Sequence, residues 1–138
     1  MRYINRDDLI EIIQERLLDE SVQLNGALLD SIEAKAIDFA ISYISGRYDC
    51  DIIFGDPVRR HGLLAQAIGM IVAYWAVRRN AARKVPGDFP DIYREAVAIL
   101  EHIRSGSQQL DGMPEITGAD GTTASLMYGN NTNRDFFI

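Results

Sequence analysis

Leu63-Leu64-Ala65-Gln66-Ala67-Ile68-Gly69-Met70-Ile71-Val72-Ala73-Tyr74-Trp75-Ala76-Val77 contains one strongly polar side chain, Gln66. A helix that is apolar nearly all round must be surrounded by other elements. The run is therefore read as the central helix of an all-α protein. A membrane span is the competing reading, but 15 residues rise only about 22 Å as a helix, against a hydrocarbon layer of about 30 Å. Arg59-Arg60 and Arg78-Arg79 bracket the run too closely for a span.

Working outward, the spacing of apolar residues predicts three more helices. Upstream, Asp56-Pro57 offers a cap followed by a proline suited to the first helical position, so the central helix is expected to begin there. Before it, a helix from about Ala27 to Gly46-Arg47-Tyr48 carries Leu28, Ile32, Ala36 and Phe39 or Ala40 on one face, widened by Leu29, Ile37, Ile41 and Ile44. The first helix is expected to start at the cap Asn5, with Asp7 and Asp8 meeting the positive end of its dipole. Its stripe is Leu9, Ile13 and Leu17, and it runs to Asp19-Glu20 before the Asn25-Gly26 turn. Downstream, Pro86-Gly87 breaks the chain, and Asp88 or Phe89-Pro90-Asp91 opens a helix with Ile92, Ala96, Ile99 or Leu100, and Ile103 inward, closed by Gly106. The expected architecture is an antiparallel bundle of about four helices over residues 1–106, followed by an extended C-terminal arm over residues 107–138.

The chain has 138 residues, 47% hydrophobic and 25% charged, which fits one globular domain. Its net charge of −6 opposes non-specific binding to nucleic acid or to an anionic membrane. A single cysteine, Cys50, forms no intrachain disulfide, and the opening Met1-Arg2-Tyr3-Ile4-Asn5-Arg6 lacks the apolar stretch of a signal peptide. Both point to a reducing, cytoplasmic origin.

The arm differs in kind from the body. Gly112, Gly118, Gly121 and Gly129 with intervening Ser, Thr and Asn sustain no helical period. Yet the arm carries Leu126, Met127 and Tyr128 and then Phe136, Phe137 and Ile138, large groups each worth about 1.5 to 3 kcal/mol when buried. We expect these residues, with Arg134, to bind a partner; the alternative is that they fold back over their own bundle.

Motifs for catalysis and cofactors are missing. Gly118-Ala119-Asp120-Gly121-Thr122-Thr123 lacks the lysine of a phosphate loop. Asp49, Asp51 and Asp56 suggest calcium, but Ile53 and Phe54 stand where an EF-hand needs an oxygen ligand and a glycine, and Arg60 takes the place of its last acid. His61 and His102 fall on different predicted helices without a second cysteine, which leaves no zinc set. A Cys50–His61 nucleophilic pair has no recognisable context, and a small buried thiol is the commoner role for a lone cysteine. No enzyme, cofactor or metal is expected.

Charge is unevenly spread. Residues 1–56 hold five basic and twelve acidic groups, whereas residues 57–104 hold eight basic and four acidic ones. Arg78, Arg79, Arg83 and Lys84 cluster where the central helix ends; pairing with its negative dipole terminus explains most of this. The sharper expectation is an inter-subunit basic patch facing the acidic half of the next copy, as a head-to-tail assembly requires.

Four stretches in order carry a family resemblance: Tyr3-Ile4-Asn5-Arg6-Asp7-Asp8-Leu9, Tyr43-Ile44-Ser45-Gly46-Arg47-Tyr48, Ala73-Tyr74-Trp75-Ala76-Val77-Arg78-Arg79, and Tyr93 through Gly106. Together they resemble the small head-tail connector proteins of tailed bacteriophages, especially the Mu-like group, over roughly residues 3–106. The resemblance implies a non-catalytic head-completion or adaptor protein of the virion's head-tail junction, present in the host cytoplasm before assembly. It implies a homo-oligomeric ring, commonly of twelve subunits, beneath the portal protein and above a downstream tail or connector protein. Genomic DNA would pass through that ring without sequence-specific binding. In such relatives the C-terminal segment often reaches the portal or a neighbouring subunit. An acidic wall suits a channel for a sliding polyanion, and Glu11, Glu15, Asp19 and Glu20 are the candidate channel-facing acids, with an ordinary solvated helix face as the alternative. The other functional class is a small helical DNA-binding or DNA-packaging protein using Arg59, Arg60, Arg78, Arg79, Arg83 and Lys84 against phosphate.

Overall fold

A computed structural model describes residues 1–22, 26–79 and 89–116. They form six α-helices: α1 (Arg6–Ile10), α2 (Glu15–Val22), α3 (Gly26–Ile44), α4 (Cys50–Ile53), α5 (Gly62–Arg78) and α6 (Phe89–Ser105). The described residues contain no β-strand beyond one isolated bridge, so the described fold is of the all-α class. The apolar run that decides the reading is α5, and it lies in the middle. Leu64, Ala65, Ala67 to Ala73, Ala76 and Val77 are buried, and α1, α2, α3 and α6 all pack against it. Among the described residues no helix is long and apolar enough to cross a membrane.

The first predicted helix is two. Asn5 caps α1 as expected, accepting from the Asp8 backbone N–H while the Asp8 carboxylate accepts from the Asn5 N–H. After Ile10 the chain turns at Glu11 and Ile12 and starts again at Glu15. The reason lies in the phase of the stripe. Leu9 and Ile13 are buried four apart, Leu18 and Val22 are buried four apart, and the five-residue step between the pairs is taken by the turn. A continuous helix would carry the second pair off the core face, since each residue advances about 100°. Leu17, expected on the stripe, is only partly buried. Arg6 spans the break, donating to the carboxylates of Glu15 and Asp19.

The predicted start of the central helix at Pro57 is also corrected. The short helix α4 comes first, the Asp56–Pro57 peptide is cis, and α5 begins only at Gly62, where the imidazole of His61 accepts the Leu63 N–H at 3.2 Å. The chain from Val58 to Arg60 stays non-helical because the N-terminal segment holds it. The Tyr3 hydroxyl donates to the Arg59 carbonyl and accepts from the His61 N–H, both at 3.0 Å. Arg60 grips Asp8 with two hydrogen bonds of 2.8 and 2.6 Å.

Those two bonds hold the Asp8 carboxyl below the usual carboxylate range. A depressed pKa contributes stability above the unfolded value of about 4, and that stability is lost as pH falls through the folded value. Arg60→Met is therefore expected to lower the urea midpoint at neutral pH and to lower it less at about pH 3, below the unfolded value. An equal loss at both pH values would show that the ion pair contributes nothing.

The fourth predicted helix is α6, with Phe89, Ala96, Leu100 and Ile103 buried. Gly106 ends it at φ 90°, a conformation glycine adopts without the Cβ penalty. A Cβ there would lie 3.2 Å from the Arg47 guanidinium. Residues 107–116, the first part of the arm, run back along the body. Leu110 is buried and donates its N–H to the Tyr48 hydroxyl at 2.8 Å. The Asp49 N–H donates to the Pro114 carbonyl and the Ile116 N–H to the Arg47 carbonyl.

Candidate assembly interface

Five aromatic side chains from three helices form one contiguous, half-buried patch. On α3, Phe39 and Tyr43 are four residues apart, so they share a face, and their rings lie 5.2 Å apart edge to face. Phe39 meets Trp75 of α5 at 5.8 Å and Tyr93 of α6 at 6.4 Å. Tyr74 stacks on Tyr93 at 4.8 Å. All five are partly buried and pack against the core. Burial pushes the Tyr93 phenol up, so it remains a neutral hydrogen-bonding group.

Two exposed guanidiniums bracket the patch. Arg78 lies 5.6 Å from the Tyr74 ring centre and Arg104 5.0 Å from that of Tyr43. Such cation–π contacts are worth about 0.5 to 1 kcal/mol each when exposed, which biases two long side chains toward the rings but does not offset the roughly 2 kcal/mol of rotamer entropy that fixing each would cost. Aromatic rings and arginines are the residue types that dominate protein–protein hot spots. The patch escaped sequence reading because each ring falls in a helix whose apolar stripe is explained by the core. The only signal was that Tyr43, Tyr74-Trp75 and Tyr93 all stand in the stretches that carry the family resemblance.

Of the expected basic patch, Arg78 and Arg79 are exposed at the end of α5, while Arg83 and Lys84 lie outside the described residues. Leu126, Met127, Tyr128, Arg134, Phe136, Phe137 and Ile138 also lie outside them. The four candidate channel acids are on or beside α1 and α2. Glu11 and Glu15 are exposed, Asp19 and Glu20 half-buried. Glu15 and Asp19 pair with Arg6, and Glu20 pairs with Arg16 at 3.4 Å, so three of the four acids already have basic partners.

A groove of about 500 Å³ runs between Ile12, Arg60, Ala65, Met70 and Ile92, with Asp8 and Glu11 on its rim. Arg60 and Asp8 are spent on each other there. Among the described residues no group of three or more His, Cys, Asp or Glu is placed to hold a metal. Half-burial, reinforced by Asp49 and Asp51, pushes the Cys50 thiol up to about 11. The thiolate is the reactive form, so alkylation by iodoacetamide at about pH 8 is expected to run on the order of 100-fold slower than for an exposed thiol. A rate equal to that of a free cysteine would contradict the packing. His61 uses its Nδ1 to cap α5, so that nitrogen is not free to activate a nucleophile.

No family model, no curated protein and no solved structure matches the chain.

Proposed function

We propose that the protein is a structural head-tail connector, a head-completion or adaptor protein of a tailed bacteriophage, assembling as a ring beneath the portal around the DNA exit channel. The observation that carries the proposal is the half-buried aromatic patch bracketed by Arg78 and Arg104, which has the composition of a surface built to be covered by protein. The four resembling stretches supply the class of assembly. In this reading α2, α3, α5 and α6 make an antiparallel four-helix bundle, with α1 and α4 as short additions. The chain beyond Ile116 is the extended arm, which anchors on the portal or a neighbouring subunit.

The uneven charge sets how subunits meet. The basic end of α5 in one copy faces the acidic α1–α2 region of the next, and any acids left facing the hole repel passing DNA. The ring, of about twelve subunits by the family resemblance, joins the portal to a downstream tail or connector protein in the virion. Negative-stain electron microscopy of the purified protein tests this: rings with a central hole are expected, and a monomer under all conditions would overturn it. Native mass spectrometry over rising salt is expected to show the oligomer dissociating as acid–base contacts are screened. An oligomer indifferent to salt would reject the head-to-tail charge contact. Binding of DNA by the isolated protein, weakened by Arg78→Glu and Arg79→Glu, would instead assign the basic patch to phosphate and favour the DNA-packaging alternative. Two of its guanidiniums are otherwise engaged, Arg60 with Asp8 and Arg78 with Tyr74.

A further inference from the structure

We propose that two copies of this chain pair reciprocally through one continuous face of α5, the Tyr74 ring of each entering the groove over Met70 of the other. The inference goes beyond the ring reading above, because it concerns the protein before assembly.

Gln66, Met70, Tyr74 and Arg78 follow one another at intervals of four along α5, so they form a single ridge. The ridge changes character along its length. At one end Gln66 and Met70 line the groove of about 500 Å³, walled by Ile12 and Ile92 and rimmed by Glu11. Met70, only 8% exposed, is its floor. One turn further on, Tyr74 is less deeply buried and stacks on Tyr93, and Arg78 lies exposed over its ring. A hollow rimmed by an acid and a projection carrying a base therefore share one face, with Met70 and Tyr74 about 6 Å apart along the helix.

The two end charges are unmatched within the subunit. Arg60 is held by Asp8, and Glu15 and Asp19 by Arg6, whereas neither Glu11 nor Arg78 forms an ion pair with another described residue. Gln66 and Arg78 are twelve residues apart, about 18 Å of helix. Turning a second copy by half a rotation about the middle of that span, between Met70 and Tyr74, sets Arg78 of each against Glu11 of the other. The same rotation lays each Tyr74 ring over the partner's thioether, a favourable contact. A copy that places its ring in the groove also presents its own groove to the first copy's ring, because both pieces face the same way. Contacts of that kind close at two subunits, whereas a head-to-tail chain needs the two pieces on different faces. The pair occupies the basic end of α5 on which the ring also draws, so pairing and ring assembly compete.

The test uses the full chain in sedimentation equilibrium. A two-subunit species is expected, weakened about tenfold by Arg78→Glu or by Glu11→Arg alone and restored when the two changes are combined. Photoreactive p-benzoylphenylalanine in place of Tyr74 is expected to give a dimer-mass adduct joining position 74 to residues 66–78 of the other copy, the self-contact that a twofold axis requires. A monomer at every concentration, no rescue by the combined change, or no dimer-mass adduct within residues 66–78 would each overturn the pairing. Electron microscopy of the unsubstituted protein keeps the two readings apart. Rings from a chain that gives no self-adduct would retain the connector and reject the pairing, whereas self-adducts from a chain that never forms rings would retain the pairing and reject the connector.

Discussion

Glu33→Ala is expected to lower the stability of the protein by about 3 kcal/mol, the loss being read as a shift in the urea unfolding midpoint at unchanged slope. Glu33 is 2% exposed on a helix face otherwise made of Leu29, Ile32, Ala36, Ile37 and Ala40. A buried carboxylate survives only when hydrogen bonds replace its water. Here it accepts the backbone N–H of Arg2 at 2.8 Å with one oxygen, and those of Tyr3 and Ile4 at 2.9 and 2.8 Å with the other. Removing it strands three donors, each costing about 1 kcal/mol or more if kept from water. The segment would then peel away, taking with it Tyr3, whose hydroxyl holds Arg59 and His61 and whose ring lies 4.9 Å from that of Phe54. Glu33→Gln keeps an acceptor for two of the three and turns an amide donor toward the third, so about half the loss is expected. Amide hydrogen exchange at Tyr3 and Ile4 should accelerate in both variants. Unchanged exchange there would reject Glu33 as the clasp.

Tyr48→Ala is expected to cost about 4 kcal/mol, in the range for deleting a buried aromatic ring, and to release residues 107–116 from the body. The Tyr48 ring is 1% exposed, and its hydroxyl accepts the Leu110 N–H while its backbone bridges to Glu115. Tyr48→Phe separates the two effects. It keeps the ring and leaves one buried N–H unmatched, for about 1 to 2 kcal/mol, with faster exchange confined to residues 110–116 and none in α5. If Tyr48→Phe matched Tyr48→Ala, the hydroxyl rather than the ring would be the main support. In the connector reading this contact matters beyond stability, because it fixes on the body the point from which the chain beyond Ile116 starts.

What could be read in advance follows from periodicity. The apolar run of α5, the cap at Asn5, the start of α6 near Phe89 and its stop at Gly106 were all legible, since each depends on neighbours within a turn. The split between α1 and α2 was hidden, because Leu9, Ile13 and Leu17 fit a continuous stripe as well as Leu9, Ile13, Leu18 and Val22 fit a broken one. Choosing between them needs the position of α5. The delayed start of α5 was hidden for the same reason: Asp56-Pro57 is a sound local signal, overridden by Tyr3 holding Arg59 and His61 from more than fifty residues away.

The sequence by itself determined the class of the fold and the identity of its central helix, because burial of a run apolar on every side leaves no other arrangement of helices around it. It also determined that residues 1–56 carry an excess of acid and residues 57–104 an excess of base. Only the tertiary structure decided that Glu33 clasps the N-terminal segment, that residues 107–116 return to Tyr48, and that rings from α3, α5 and α6 merge into one surface between two arginines. Each of those joins groups far apart in sequence, and such contacts form only once packing has set the distances between helices, which no local pattern records.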